Sequence, residues 1–178
     1  MKKSVLLLFF AGCVATGIFG IGRKIPMNRV NDLGQREGYW RDSVGGGFVY
    51  DLYYKGGKKD GLYKRFYRNK LFLFGEYTAD NMSGTWYMFG DEGELRCTID
   101  SIEFNKDSIY TGYPCCRIFC KYKCYCADYY PSGAVKSEGY MVCDEEFEIE
   151  IWEIGEWKYY DESGNLIKTK DYGDRRTP

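Results

Sequence analysis

The sequence predicts an all-β fold: a single antiparallel β-meander of repeated hairpins of about 23 residues, preceded by an N-terminal hydrophobic signal or anchor helix. Three observations carry this expectation. Gly38-Tyr39-Trp40, Gly61-Leu62-Tyr63 and Gly84-Thr85-Trp86 repeat a glycine-x-aromatic step every 23 residues, and Gly155-Glu156-Trp157 is a fourth copy. A fixed period marks stacked supersecondary units. Aromatic residues make up 19% of the chain and glycine contributes 22 residues, a composition suited to strands joined by tight turns. The sustained 3.6-residue apolar rhythm that a helical repeat requires does not occur.

The first element is residues 1–22. Met1-Lys2-Lys3 forms a basic start, and Val5 to Gly22 carries no charge until Arg23-Lys24. Three readings stay open for this segment. It is a secretory signal cut near Ala15-Thr16-Gly17, a lipoprotein signal cut before Cys13 within Phe10-Ala11-Gly12-Cys13, or an uncleaved single-pass anchor of about 18 apolar residues. Each places the remainder at the cell envelope or outside the cell, because the flanking lysines favour an inside N-terminus. Residues 23–30 then read as a linker.

Residues 31–172 hold the repeats. Nine residues after each step glycine comes a turn position, occupied by Gly47, Lys70, Gly93 and Gly164. Four before it stand Gly34, Gly57 and Asp80; five after it stand Ser43, Phe66, Phe89 and Tyr160. Each unit is thus a glycine-rich turn, an aromatic run, a second turn and a further extended run, which is a β-hairpin. Side chains alternate faces along a strand, so the constant step predicts a cross-strand ladder of Trp40, Tyr63, Trp86 and Trp157. Core packing is one role for that ladder. An aromatic binding surface, with Phe66, Phe89 and Tyr160 beside it, is the other.

From Gly84 to Gly155 the spacing is 71 residues, three periods plus two. Setting Gly133 of Tyr129-Tyr130-Pro131-Ser132-Gly133 as the ninth-position glycine puts Cys124 at the step and Cys126 at the tryptophan site. Five hairpin units result, the fourth modified by cysteine. An insertion around Asp100 to Pro114 precedes it, within a Cys-rich stretch around 97–126. Residues 173–178 form a charged tail.

The run Gly155 to Leu166, Gly-x-Trp-x-Tyr-Tyr-x-x-x-Gly-x-Leu, and the run Tyr54 to Gly61, Tyr-x-x-Gly-Lys-x-x-Gly, resemble the bacterial MORN-variant repeat, a family often labelled antitoxin-like. The resemblance covers residues 31 to 101 and again 126 to 172. It implies an elongated, twisted antiparallel sheet used as a binding or scaffold module, in proteins that are often lipoproteins or envelope proteins, with no shared catalytic residue. Lys70 in place of the turn glycine and the loose Gly45-Gly46-Gly47 turn depart from the pattern.

Beyond Cys13, seven cysteines follow: Cys97, Cys115, Cys116, Cys120, Cys124, Cys126 and Cys143. In an exported chain this density reads as disulfides between strands, with Cys97 and Cys143 as candidate partners of the inserted region. Were Cys116 to Cys126 one strand, Cys120, Cys124 and Cys126 would share a face. A thiolate metal site is the competing reading, although Cys-x3-Cys-x3-Cys-x-Cys does not make two Cys-x2-Cys knuckles.

Histidine is absent, which removes Ser-His-Asp and Cys-His catalysis and the commonest metal ligand. No Walker loop or GxGxxG occurs. In Asp144 to Ile151 acids alternate with Phe147, Ile149 and Ile151, the pattern of a solvated strand face. A net charge of −1 gives no drive toward nucleic acid. The expected function is a non-catalytic, envelope-associated protein-binding or scaffold module with an unidentified protein partner, no nucleic acid and no cofactor. Membrane association through the N-terminus stays open. The alternatives are an antitoxin or immunity-type inhibitor of a toxic partner and a cysteine-based metal-binding protein.

Overall fold

The computed structural model describes residues 26–106, 110–111, 118–144 and 151–173. The N-terminal hydrophobic segment with Cys13, the Cys115–Cys116 pair, most of the acidic run and the last five residues lie outside them. In chain order the strands are β1 (Arg29–Val30), β2 (Arg36–Val44), β3 (Phe48–Lys55), β4 (Lys58–Tyr67), β5 (Lys70–Thr78), β6 (Asn81–Phe89), β7 (Leu95–Phe104), β8 (Tyr110–Thr111), β9 (Ile118–Phe119), β10 (Tyr122–Tyr129), β11 (Val135–Cys143), β12 (Ile151–Tyr160) and β13 (Leu166–Asp171). Eleven of them form one antiparallel meander in sequence order, with β8 and β9 set apart as a two-stranded ribbon between β7 and β10. No helix occurs among the described residues, so none there is long and apolar enough to cross a membrane.

Two turn designs recur among the hairpins. At Asn31–Gln35, Gly90–Glu94, Tyr130–Ala134 and Asp161–Asn165 the same pair of backbone hydrogen bonds closes a three-residue loop, with glycine in the left-handed conformation at the fourth position. At Gly56-Gly57, Arg68-Asn69 and Ala79-Asp80 two positive-φ residues close a two-residue turn. The second design explains Lys70. Arg68 and Asn69 already supply the positive φ angles, so position 70 is an ordinary strand residue opposite Tyr67. Its ammonium reaches the Asp91 carbonyl of the next loop.

The step glycines sit where register shifts. Gly61, Gly84 and Gly155 have φ of 123°, 64° and 59°, and the pairing slips beside each. A β-bulge with a left-handed residue needs glycine there. In the fourth unit the step position is Cys124, which stays in regular strand. The bulge moves to the facing strand instead: pairing jumps from Lys123–Glu103 to Tyr125–Asp100, and Ser101 takes the positive φ of 51°. The degenerate repeat keeps its bulge by exchanging which strand carries it.

Aligned bulges bring one row of side chains across the sheet. Trp40 faces Leu52, Leu52 faces Tyr63, Gly75 lies under Trp86, Trp86 faces Ile99, Ile99 faces Cys126, Cys126 faces Gly139 and Gly139 faces Trp157. Sizes alternate along it. A Cβ on Gly75 would stand 2.1 Å from the Trp86 ring, and one on Gly139 2.5 Å from that of Trp157. Each of these two indoles therefore lies flat on a glycine of the preceding strand. The indole N–H groups of Trp86 and Trp157 donate to the Ser83 and Tyr140 carbonyls at the bulges. The inner face is thereby filled by its own rings, with Trp86 between Tyr63 and Tyr77 at 5.4 and 5.2 Å.

A cleft where the aromatic row skips a ring

Tyr63, Trp86 and Trp157 are buried at 1, 0 and 4% exposure, and Trp40 is half-buried with the Arg36 guanidinium stacked 4.5 Å above it. Packing occupies Tyr63, Trp86 and Trp157. Phe89, at the end of β6, borders the cleft over Cys97 and Cys126. Phe66 and Tyr160 do not stand beside the ladder: each lies three residues beyond a ladder position in an unbroken strand, so it projects from the opposite face. The odd offset in the sequence was the available signal.

Where the row reaches Cys126 it has a thiol in place of an indole, and the space over β6, β7, β10, β11 and β12 is not filled. A cleft of about 410 Å³ opens there, bordered by Phe72, Met88, Cys97, Cys126, Asp128 and Trp157, among others. A second recurrent irregularity arms it. In four hairpins the strand after the three- or two-residue turn carries an extra residue two or three positions in. Phe72, Arg96, Lys136 and Ile167 are left over between the paired residues. The first three of these line the cleft, together with Glu153 of β12. One backbone device in successive units thus supplies a ring, a guanidinium and an ammonium to the same opening.

At its floor Cys97 of β7 and Cys126 of β10 bring their sulfurs to 3.1 Å. The two sulfurs and an Asp128 carboxylate oxygen all lie within 4.8 Å of one another. Ser137 of β11 donates to Asp128 Oδ2 at 2.9 Å, which fixes that carboxylate. Contact with the Cys97 thiol, and then burial, pushes the Cys126 thiol above the ordinary thiol range. Protonated thiols of this kind are weak nucleophiles. As donors, two sulfurs and a carboxylate suit a borderline or soft cation.

The other cysteines separate. Cys124 and Cys143 make a second contact at 3.5 Å, and both are sealed in the core at 0 and 1% exposure. Cys97 therefore meets Cys126, and Cys143 meets Cys124, all four as thiols. Cys120 does not share their face: it packs with Val142 and Ile154 in a separate cluster, whereas Cys124 and Cys126 belong to the main core. The strand expected to run from Cys116 is broken at Cys120-Lys121, between β9 and β10, and the break resets the alternation of faces. Asp128, Ser137, Glu153, Arg96 and Lys136 were not singled out from sequence. Asp128 was within reach, being two residues beyond Cys126 on the same strand face.

The outer face differs in character. It carries aromatic pairs too, Tyr39–Tyr53 at 5.5 Å, Phe74–Tyr87 at 6.0 Å and Tyr125–Tyr140 at 5.2 Å. Here Tyr53, Leu62 and Tyr140 remain 39, 46 and 45% exposed. Comparison with protein-family profiles and with curated proteins finds no match for this chain.

Proposed function

We propose that the chain is a non-catalytic, envelope-associated repeat scaffold that binds a protein partner through the outer face of its sheet. The supporting observation is the division of aromatics between the faces. The inner rings Tyr63, Tyr77, Trp86 and Trp157 are consumed by packing, while Tyr53, Leu62 and Tyr140 stay exposed on strands held rigid by that packing. Tyrosine combines a large apolar ring with a wet hydroxyl and is enriched in protein interfaces, so a partner offering apolar area and hydrogen-bond acceptors fits this face. Envelope placement rests on the Met1-Lys2-Lys3 start and the uncharged run Val5 to Gly22. The resemblance to MORN-variant repeats agrees with a scaffold.

The test is site-specific photocrosslinking in the native cell, with the crosslinker placed at Tyr53 or at Tyr140. A discrete adduct at both positions, lost in a Tyr39→Ser/Tyr125→Ser chain of unchanged melting temperature, is the expected result. Absence of any adduct at either position overturns the assignment of this face. An adduct with one toxic protein whose action the chain abolishes selects the inhibitor form of the same binding role.

A further inference from the structure

The cleft on the inner face plays no part in that binding role, and its donor set points elsewhere. We propose that Cys97, Cys126 and Asp128 form a binding site for a single borderline or soft divalent cation, of which Zn²⁺ is the natural type and Cd²⁺ the spectroscopic probe.

Four observations carry the assignment. First, three donor atoms from two neighbouring strands already lie within 4.8 Å of one another. Second, the sulfur separation favours a bridging ion over a direct bond. Two sulfurs held about 2.3 Å from a tetrahedral ion are roughly 3.8 Å apart. From 3.1 Å they need to part by well under 1 Å, whereas a disulfide requires them to close to about 2.05 Å. The register matters here, because Cys97 faces Asp128 and Cys126 faces Ile99, so the two cysteines are diagonal neighbours. Diagonal positions on antiparallel strands stand farther apart than directly opposed ones, so closing the sulfurs to a disulfide asks more of the backbone than admitting an ion between them.

Third, the carboxylate is already steered by a neighbour. Ser137 orients Asp128 by donating to Oδ2, the arrangement by which metal-ligating carboxylates are usually steered. Two thiolates and a carboxylate around a divalent ion leave one net negative charge. Arg96 and Lys136 line the same cleft with Glu153, and their surplus of one positive charge offsets it. Fourth, the site has an entrance. Cys97 and Cys126 border an open cavity of about 410 Å³, whereas the Cys124–Cys143 pair is enclosed and has no carboxylate within ligand distance among the described residues. Three protein donors and an open side leave the fourth coordination position to water or to a small ligand.

Binding must displace both thiol protons, so affinity rises with pH. The test uses the purified full chain, reduced, stripped with chelator and titrated with Cd²⁺ while the sulfur-to-cadmium ultraviolet charge-transfer band is followed, then competed with Zn²⁺. One equivalent is expected to saturate the band. Cys97→Ser and Cys126→Ser each abolish it, and Cys124→Ser and Cys143→Ser leave it. Ser137→Ala, which removes only the steering hydrogen bond, weakens binding by about tenfold with the fold intact. Circular dichroism screens every variant. If a cysteine variant fails to fold, Asp128→Asn decides, with at least a tenfold loss expected. The proposal falls if the reduced chain shows no band, if the band survives both Cys97→Ser and Cys126→Ser, or if it tracks Cys124 and Cys143 instead. Recovery of the protein from its native envelope with a Cys97–Cys126 disulfide also overturns it.

Discussion

Replacing Gly75 by alanine should destabilise the protein by about 3 kcal/mol, at the upper end of what overpacking costs. The added Cβ would lie 2.1 Å from Trp86 Cδ2, and carbon atoms in contact prefer about 3.5–4.0 Å. The ring must therefore retreat by more than about 1 Å. It has nowhere to go: Trp86 is fully buried, wedged between Tyr63 and Tyr77, and its indole N–H is committed to the Ser83 carbonyl. At about 2–4 °C per kcal/mol for a domain of this size, the melting temperature falls by roughly 6–12 °C. The cause is isolated by a double-mutant cycle on urea unfolding. Trp86→Leu alone costs several kcal/mol, yet in that background Gly75→Ala should cost under about 1 kcal/mol, giving a coupling of about 2 kcal/mol or more. Additive costs would refute the claim that the step aromatic lies on the glycine of the preceding strand. So would a neutral Gly75→Ala, and with it the whole account of the row.

The relocated bulge makes its own prediction. Ser101→Gly relieves a left-handed serine and should stabilise by roughly 0.5–1 kcal/mol, whereas Ser101→Val should destabilise by more than about 1 kcal/mol, read by urea unfolding. In the two-residue turn Ala79-Asp80, Ala79 has φ of 48°, so Ala79→Gly should raise the melting point by a few degrees, the equivalent of about 1 kcal/mol. Asp161 accepts hydrogen bonds from Asn165 Nδ2 and from the Asn165 and Ser163 amides, which hold its carboxyl below the usual carboxylate range. A depressed carboxyl stabilises the fold above its unfolded pKa of about 3.9 and loses that contribution as pH falls through the lower folded value. The stability gap between the parent chain and Asp161→Ala should therefore be constant near neutrality and shrink on acidification below about pH 4, followed by thermal melts across pH.

The hairpins, their turns and the positions facing inward follow from local rules, and a 23-residue recurrence exposes local rules well. Gly34, Gly57 and Asp80 were placed at turns from spacing alone, and each takes the positive φ that such a turn imposes. Assigning Cys126 to the tryptophan site also follows from counting, and the structure seats it in line between Ile99 and Gly139. Cys120 was beyond such counting, because its face depends on a chain break between two strands. The same holds for Ser101, whose conformation is forced by the strand opposite.

Alternation and turn chemistry within one hairpin are enough to dictate the meander: strand identity, period, the aromatic row and the irregular fourth unit. Which residues from different hairpins meet is settled by the assembled sheet. Cys97 and Cys126 are 29 positions apart, and their contact depends on a bulge having changed strands between Ser101 and Cys124. A one-residue difference in that register would turn one of the thiols to the other face. Pairing across strands is a sum of every irregularity on the way, and the sequence marks those irregularities only where glycine carries them.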